Sequence, residues 1–288
     1  MSRRAKLNRS PVWADPYKAE VIKSLQQFSI RHNTFKVFCD FIEMSALALS
    51  NKFDLINYDR REKRYLEIVK NYKKEELDLF ARTLGQLQAC YQARLDLLGD
   101  AGLRESVDSI GDVLGQIFMA LDLGSERAGQ FFTPSEVSLM MAKMVTVGDG
   151  SDIRKRGFIT MDEPACGSAG MVVAVAQAMH EAGLNYPTML HATCTDIDPT
   201  CVHMAYVQLA LLGIPATVIH GNSLTLQTWD VWHTPSHYLC GWPNRFERKR
   251  VGEACSKLIE FMRSAEKVGP DIVEKEPLPA SDPVTVPG

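Results

Sequence analysis

The stretch DEPACGSAG, residues 162–170, joins two apolar runs and constrains the fold more than any other part of the chain. The run before it, residues 157–161, has the length of a buried strand, and the run after it, residues 171–179, continues as a helix. Glycines between a strand and a helix let backbone amides approach a ligand at the positive end of the helix. The stretch therefore predicts a nucleotide-type cofactor site.

The same strand-and-helix unit repeats further along the chain. Residues 190–195 and 199–212 predict a second strand and its helix, and residues 216–220 predict a third strand. The second strand ends at TDIDP, residues 195–199, and the third at GNSL, residues 221–224. Ligands of open α/β sheets gather at such carboxyl ends. The pattern predicts parallel strands, right-handed crossovers and helices on both faces of the sheet.

Helical spacing of apolar residues dominates the amino-terminal part. Residues 17–49 predict two packed helices, a second helical region covers residues 65–98, and the pattern resumes at residues 108–121. Five prolines follow residue 267, which argues against further strands there. The expected organisation is a helical region over residues 1–104, an α/β core over 105–267 and a Pro-rich extended tail over 268–288.

A second motif, GQFFTPSEV at residues 129–137, has the composition of a helix start. Thr133 can cap the helix, Pro134 suits its first turn, and Glu136 completes a capping box. Without other context, a well-made helix start would explain the motif. The apolar residues that should then face inward are Val137, Met140, Met141 and Met144.

In this order and at this spacing, the two motifs resemble the gamma-class adenine-N6 DNA methyltransferases, above all the modification subunits of type I restriction systems. The resemblance covers about residues 108–224. It implies an α/β fold with a Rossmann-like S-adenosylmethionine-dependent methyltransferase core and a partial parallel sheet, preceded by a helical region. In that family the GQFFTPSEV-type motif covers the methionine end of S-adenosylmethionine, which disfavours a small-molecule methyltransferase.

The resemblance also implies a set of cofactor-binding residues, each with a structural alternative. Asp162 and Glu163 lie where the family has an acid near the methionine portion of the cofactor. Asp196 lies where an acid accepts hydrogen bonds from the ribose hydroxyls, and Asn222 where a side chain bonds the adenine amino group. The structural alternatives are a solvated strand end for Asp162 and Glu163, tight strand–helix packing for Gly167 and Gly170, and a turn for Asn222. Asp198 is interpreted as a helix cap. The full set is Phe131, Phe132, Thr133, Pro134, Asp162, Glu163, Pro164, Ala165, Cys166, Gly167, Gly170, Asp196, Ile197, Asn222 and Ser223.

The family's catalytic tetrad, Asn- or Asp-Pro-Pro followed by an aromatic residue, is not found in the sequence. At the expected place the chain reads HYLCGWPNRF, residues 237–246, after a predicted fourth strand at 236–240 and before a predicted helix at 252–266. We assign no catalytic residue and expect neither Trp242 nor Phe246 to stack on a base. Two functions stay open: an adenine methyltransferase, or an inactive S-adenosylmethionine-binding relative acting as a regulatory, anti-restriction or interaction subunit.

Charge and length shape the expected partners. A net charge of −3 gives no overall basic field for nucleic acid, although Arg60, Arg61, Lys63 and Arg64 form a local basic group. A complete methyltransferase sheet of this type has seven strands, so we expect three of them to be missing here, an open sheet edge, and no room for a separate target-recognition domain. We therefore expect DNA contact, if any, through a partner chain, with a specificity subunit or a second copy covering the edge.

The remaining features favour a cytoplasmic protein without a metal site. No apolar run approaches the roughly 20 residues of a membrane span, and the first residues carry no secretion signal. Seven cysteines without a Cys-x-x-Cys pair indicate reduced thiols. No arrangement of histidine and aspartate supports Cys166 as a nucleophile.

Overall fold

The structure, a computed structural model, describes residues 15–99, 110–123 and 132–267. By compactness the chain divides into two units, residues 1–243 and residues 244–288. The first unit contains both the helical region and the sheet, and the second contains most of the last helix. The domain boundary expected near residue 104 stays a prediction, and the Pro-rich tail lies outside the described residues.

Helices fill the chain before the sheet, as the apolar spacing predicts. Asp15 and Asn33 cap the first two helices by accepting hydrogen bonds from backbone N–H groups, and Asp112 caps the fifth in the same way. In chain order these helices are α1 (Pro16–Gln26), α2 (Thr34–Ser50), α3 (Tyr58–Val69), α4 (Lys74–Gly99), α5 (Val113–Ala120), α6 (Ser135–Met141) and α7 (Ser151–Arg156).

The sheet has four strands in the order β1 (Ile159–Glu163), β2 (Leu190–Asp196), β3 (Ala216–Asn222) and β4 (Gln227–His233). The first three are parallel, and β4 is antiparallel to β3. The helices that accompany the sheet are α8 (Gly170–Glu181), α9 (Tyr186–Met189), α10 (Pro199–Leu211), α11 (Pro235–Leu239) and α12 (Trp242–Lys267). The α/β class with a partial parallel sheet and a preceding helical region is confirmed.

The strand order determines where the crossover helices lie. β1, β2 and β3 follow one another across the sheet, so both crossovers step in the same direction. Right-handed crossovers that step in one direction put α8 and α10 on the same face. A different helix contacts the other face: His191 points there, opposite to Ala192, and its Nε2 lies 2.8 Å from Nδ1 of His237 in α11. The face of the sheet below α8 and α10 includes fully buried Ala192, Cys194 and Val218, whereas Thr160 and Asp162 of β1, which point to the other face, are exposed.

The predicted fourth strand at residues 236–240 is wrong, because Pro235–Leu239 forms α11. The fourth strand lies earlier, at Gln227–His233, as the second half of a hairpin with β3. Thr234 ends it: its Oγ1 accepts from the N–H of Ala216 at 2.9 Å and donates to the carbonyl of Ile214 at 2.9 Å. Pro235 then occupies the first turn of a helix, where its missing N–H costs nothing.

The first strand and the start of α6 are each shifted from their predicted positions. β1 covers Ile159–Glu163 because Gly157, at φ +81°, ends α7. In α6 the N-cap is Pro134, whose ψ of 138° is extended, so Thr133 caps nothing and the predicted capping box is wrong. The residues expected to face inward are exposed instead: Val137, Met140, Met141 and Met144.

One apolar cluster joins the helical region to the sheet. It runs from Val21 and Phe38 in the first helices through Leu114 in α5 to Val207 in α10 and Trp232 in β4. The helices and the sheet therefore share a core within the first compact unit.

Candidate cofactor-binding site

The turn after β1 is tied to the end of β2 by backbone hydrogen bonds. The N–H of Cys166 donates to the carbonyl of Thr195 at 2.9 Å, and the N–H of Gly167 donates to Oδ2 of Asp196 at 2.8 Å. Gly167 has φ +53° and Ala169 φ +69°, conformations that non-glycine residues adopt at a cost. The carboxyl ends of β1 and β2, with the turn after β1, thus form one connected rim.

The two sequence motifs meet at this rim. A Cβ on Gly167 would lie 3.0 Å from Cε1 and 3.1 Å from Cδ1 of Phe132, which shows how closely the ring approaches the turn. Phe118 of α5 holds the same ring edge-on, with the centroids 5.6 Å apart. A side chain at Gly167 would therefore displace Phe132.

A cavity of about 370 Å³ opens where Phe132, the rim and the start of α10 come together. Nine of its lining residues belong to the set implied by the sequence, namely Phe132, Thr133, Glu163, Ala165, Cys166, Gly167, Gly170, Asp196 and Ile197. Five more line it that the sequence did not indicate: Asp112, Ser138, Ser168, Met171 and Cys201.

The other residues of the implied set do not line this cavity. Pro134 and Pro164 are exposed beside it, and Asp162 points to the opposite face of β1 from Glu163 because side chains alternate along a strand. Asn222 ends β3 and its Oδ1 accepts from the N–H groups of Leu224 and Thr225 at 3.0 and 3.2 Å. These bonds match the turn alternative for Asn222, whose turn includes Ser223. Phe131 lies outside the described residues.

Asp112 was missed because nothing in its local sequence marks it as more than a helix cap. Its carboxylate is buried and accepts from the hydroxyl of Ser168, from the N–H of Gly115 at 2.9 Å and from Nε2 of Gln208 at 3.1 Å. Burial raises the pKa of this carboxyl, while the three hydrogen bonds oppose the rise. Asp112 therefore joins α5 and α10 to the turn that follows β1.

The ionisable side chains in the described lining of the cavity are acidic or thiol groups. Its described lining contains the carboxyl groups of Asp112, Glu163 and Asp196 and no lysine, arginine or histidine. Burial, with a smaller contribution from the neighbouring Asp162, raises the pKa of Glu163. Two of the three carboxyl groups thus carry their charge at a cost that a bound cation would reduce, and the site favours ligands with positive groups.

Ser138 is the second residue that the sequence interpretation missed, since it assigned the inward face of α6 to the methionines. Ser138 and Ala142, four residues apart, are both 1% exposed and lie on one helical face. The Oγ of Ser138 is buried and has no hydrogen-bond partner within the described ranges. Two small residues four apart, which let α6 approach α8 closely, are the signal that could have identified this face.

Cys166 is a thiol in this environment. A hydrogen bond with Cys194 and then burial raise its pKa far above the ordinary value, so the thiolate needed by a nucleophile is disfavoured. Within residues 15–99, 110–123 and 132–267, no group of three or more histidine, cysteine or acidic side chains is arranged to hold a metal ion.

Residues 234–243, near the place where the sequence analysis expected the tetrad, lie at the other end of the sheet from the cavity. β4 runs antiparallel to β3, so it carries the chain away from the cavity. The N–H of Thr234 donates to the carbonyl of Ala216 at the start of β3, and the indole of buried Trp242 donates to the carbonyl of Pro187 just before β2, each at 3.0 Å. Residues 234–243 therefore contribute nothing to the described cavity.

The basic group on α3 lines a second cavity, of about 410 Å³, between α2, α3 and the outer strands. Arg60 pairs with both carboxylate oxygens of Asp230 at 3.1 and 2.7 Å, and Arg64 pairs in the same way with Glu43 at 2.6 and 2.8 Å. Arg61 is buried against Trp232, with its guanidinium carbon 3.9 Å from the ring centroid. The arginines of this group thus interact with acidic and aromatic side chains of the same chain.

None of the helices within the described ranges is both long enough and apolar enough to cross a membrane.

Comparisons with curated proteins and with solved structures do not by themselves show a family. A search of curated proteins found no match. Among solved structures, the type I restriction-modification system methyltransferase subunit from Streptococcus thermophilus is 16% identical and aligns with a TM-score of 0.31, over 71% of this chain and 55% of its own. This chain thus spans about half the length of that subunit, and the likeness is too weak to support an argument.

The family model for N-6 DNA methylases matches residues 105–248, from just before α5 into α12. The match includes both sequence motifs, the whole sheet and every residue that lines the first cavity. It covers half of the chain's 288 residues, and the chain therefore belongs to the N-6 DNA methylase family.

Proposed function

We propose that the chain binds S-adenosylmethionine in the cavity between Phe132 and the rim of β1 and β2, and that it serves adenine-N6 methylation of DNA. The observation that carries this proposal is the charge of the cavity: three carboxyl groups and no basic side chain in its described lining. S-Adenosylmethionine brings a sulfonium and an ammonium group. A dinucleotide would bring a pyrophosphate, which these carboxylates repel.

The roles of the lining residues follow from their geometry. Each oxygen of Asp196 already accepts one backbone N–H, from Gly167 at 2.8 Å and from Asp198 at 2.9 Å, and keeps a lone pair for a ribose hydroxyl. Glu163 offers its charge to the positive methionine portion, and Phe132 covers the turn. When bound, S-adenosylmethionine supplies a methyl group activated by the positive sulfur.

The target adenine needs groups that the described cavity does not contain. Because residues 234–243 lie at the opposite end of the sheet, we propose that this chain supplies the cofactor half of a methyltransferase. A partner chain, either a specificity subunit or a second copy, would supply DNA recognition and the base-holding groups. Cytoplasmic location likewise stays a prediction.

The second candidate function is regulation without catalysis. The antiparallel β4 favours it, since this strand turns the chain away from the cavity at the point where the family places its tetrad. In this alternative the chain binds S-adenosylmethionine and acts as a regulatory, anti-restriction or interaction subunit.

Calorimetric titration with S-adenosylmethionine tests the shared first step. We expect the unaltered chain to bind, Asp196→Ala to weaken binding about tenfold or more through lost hydrogen bonds, and Gly167→Trp to abolish it by displacing Phe132. Asp152→Ala, an acidic residue in the first turn of α7 outside the cavity lining, is the matched control and should bind as the unaltered chain does. Absence of binding at millimolar cofactor would reject the proposal.

Methyl transfer separates the two candidate functions. Transfer of a labelled methyl group to DNA by the chain with its partner, but not by the chain alone, supports the methyltransferase. Cofactor binding with no transfer under either condition supports the regulatory alternative.

A further inference from the structure

The last helix, α12, presents an exposed apolar stripe. Every residue from Glu247 to Arg263 is exposed. Within this part of the helix, Val251, Leu258 and Met262 recur at helical spacing and are 50%, 59% and 56% exposed. Single exposed apolar residues are common, but a stripe of them along one helix marks an interaction surface, and most helices depend on such packing for their stability. A further segment should therefore cover this stripe.

The charges beside the stripe favour one kind of segment over a second copy of the helix. Arg250 and Lys257, each one position before a stripe residue, are exposed on the same flank, and Arg250 also pairs with Glu247 at 2.8 Å. Over its whole length α12 has seven basic and four acidic residues. A second copy would bring the same basic flank to the same stripe, and like charges at such positions repel. The stripe therefore favours an apolar segment with acidic residues.

The part of the chain that follows the helix has this composition. Residues 268–288 belong to the same compact unit as most of α12 and lie outside the described residues. Their sequence contains four acidic residues and one basic residue, and it has large apolar residues at Ile272 and Leu278. Gly269 and Pro270, directly after the helix, form a sequence signal for a turn. A chain that reverses there runs back along α12.

The apolar residues of this segment have the spacing of the stripe. Val251 and Met262 are separated by about 17 Å along an α-helix. Ile272 and Leu278 are separated by about 19 Å in an extended polyproline II segment, which puts them on the same side after two turns of three residues. Proline on each side of Leu278 favours this conformation. Measured from the turn, Met262 lies about 8 Å back along the helix and Ile272 about 6 Å along the segment, so the first pair is in register.

We propose that residues 271–279 run back as an extended segment and cover the apolar stripe of α12. Ile272 then packs near Met262, and Leu278 packs near Val251. The acidic residues between them lie beside the basic flank of the helix. Because the segment is tethered to the helix, a small contact is enough to hold it. This contact is independent of the cofactor binding proposed above.

Hydrogen exchange of the full chain, followed by mass spectrometry, tests this contact. Covering the stripe opposes local opening of α12, so the exchange of its backbone amides reports the contact. The double variant Ile272→Asp, Leu278→Asp places charges against apolar side chains. It should speed exchange over residues 251–262 by about tenfold or more.

The double variant Val284→Asp, Val286→Asp is the matched control, since it adds the same two charges to the same part of the chain. In an extended segment Val284 lies about 43 Å from the turn, beyond the roughly 39 Å length of α12. The control should therefore leave the exchange of α12 unchanged.

Faster exchange in the first variant alone, at every protein concentration, supports the proposal. Equal exchange in the two double variants would overturn it, because residues 272 and 278 would then have no particular contact with the helix. Faster exchange over α12 when the unaltered chain is diluted would also overturn it, because a second copy would then be what covers the stripe.

Discussion

At the scale of single residues, the close contact between Gly167 and Phe132 should determine the conformation of the turn after β1. Gly167→Ala should destabilise the chain by about 1–2 kcal/mol for its left-handed backbone alone. The total loss of stability should be larger than this, because the new methyl group would lie 3.0 Å from the ring of Phe132. Urea denaturation measures the loss, and calorimetry should show weaker binding of S-adenosylmethionine.

Gly183→Ala separates the backbone effect from the contact. Gly183 has φ +70°, and a Cβ there would meet nothing closer than a terminal nitrogen of Arg154 at 3.9 Å. The Gly183→Ala variant should lose only the stability that the left-handed backbone costs, and it should bind S-adenosylmethionine as the unaltered chain does. Equal losses of stability and of binding in the two variants would mean that Phe132 does not hold the turn.

Removal of the Asp112 side chain should also affect the groups that donate hydrogen bonds to it. Asp112→Ala leaves the hydroxyl of Ser168, Nε2 of Gln208 and the N–H of Gly115 without their acceptor. We expect a loss of about 2 kcal/mol in urea denaturation, since the unsatisfied donors outweigh the relief of a buried charge. Asp78→Ala, on the exposed side of α4, should change the stability by less than about 0.5 kcal/mol.

The cavity-lining residues that could be predicted from the sequence are those that belong to a local sequence pattern. The stretches DEPACGSAG, GQFFTPSEV and TDIDP together indicated nine of the residues that line the cavity, because a glycine turn and a strand end are properties of consecutive residues. Asp112 and Ser138 were missed because their surroundings come from distant parts of the chain. Asp112 accepts from Ser168 in the turn after β1 and from Gln208 in α10, and Ser138 lies in a helix that packs on α8. Only the folded chain brings these together.

At the scale of elements, β4 and α11 create a cluster of neutral histidines. Nε2 of His191 lies 2.8 Å from Nδ1 of His237, and the ring of His233 stacks on His237 with centroids 4.4 Å apart. Burial, and then the neighbouring histidines, lower the pKa of His191 to about 3 and that of His237 to about 4. The pKa of His233 is also lowered, mainly by burial and further by Arg61, while Asp54 opposes the shift.

This cluster should make the chain sensitive to acid. A histidine with a lowered pKa in the folded state is neutral there. Its contribution to the free energy of unfolding is therefore complete above its pKa in the unfolded chain, about 6.5, and is lost as the pH falls toward 4 and 3. Each histidine that takes up a proton only on unfolding adds a slope of about 1.4 kcal/mol per pH unit in that window. Urea denaturation at several pH values measures this slope.

The double variant His191→Gln, His237→Gln should flatten the slope between pH 6.5 and 4, whatever its stability at pH 7. An unchanged slope would assign the acid sensitivity to other groups. The sequence could not predict this cluster, because it placed the fourth strand at residues 236–240. The pairing of Gln227–His233 with β3 in a hairpin was needed to identify the strand.

At the scale of the whole molecule, the helical region and the sheet are joined by polar bonds as well as by apolar packing. The hydroxyl of Tyr91 in α4 donates to Oε1 of Gln208 at 2.6 Å, and Nε2 of Gln208 donates to the carbonyl of Ser168 at 2.8 Å. Arg61 of α3 donates to the carbonyl of Val231 at 2.8 Å. Separating the two parts would expose these buried groups and divide the shared core.

Residues 15–243 should therefore unfold in one step, although the sequence suggested a boundary near residue 104. In urea, tryptophan fluorescence, to which Trp229, Trp232 and Trp242 of the sheet side contribute, and circular dichroism, dominated by the helices, should give the same midpoint. S-Adenosylmethionine at about 100 times its Kd should raise both by an equivalent of about 2.7 kcal/mol, because a ligand of the folded state stabilises everything that unfolds with its site. A helical signal that is lost first, and that the cofactor does not shift, would show instead that the helical region is an independent domain. In that case the bonds of Gln208 and Arg61 would join two separately stable parts.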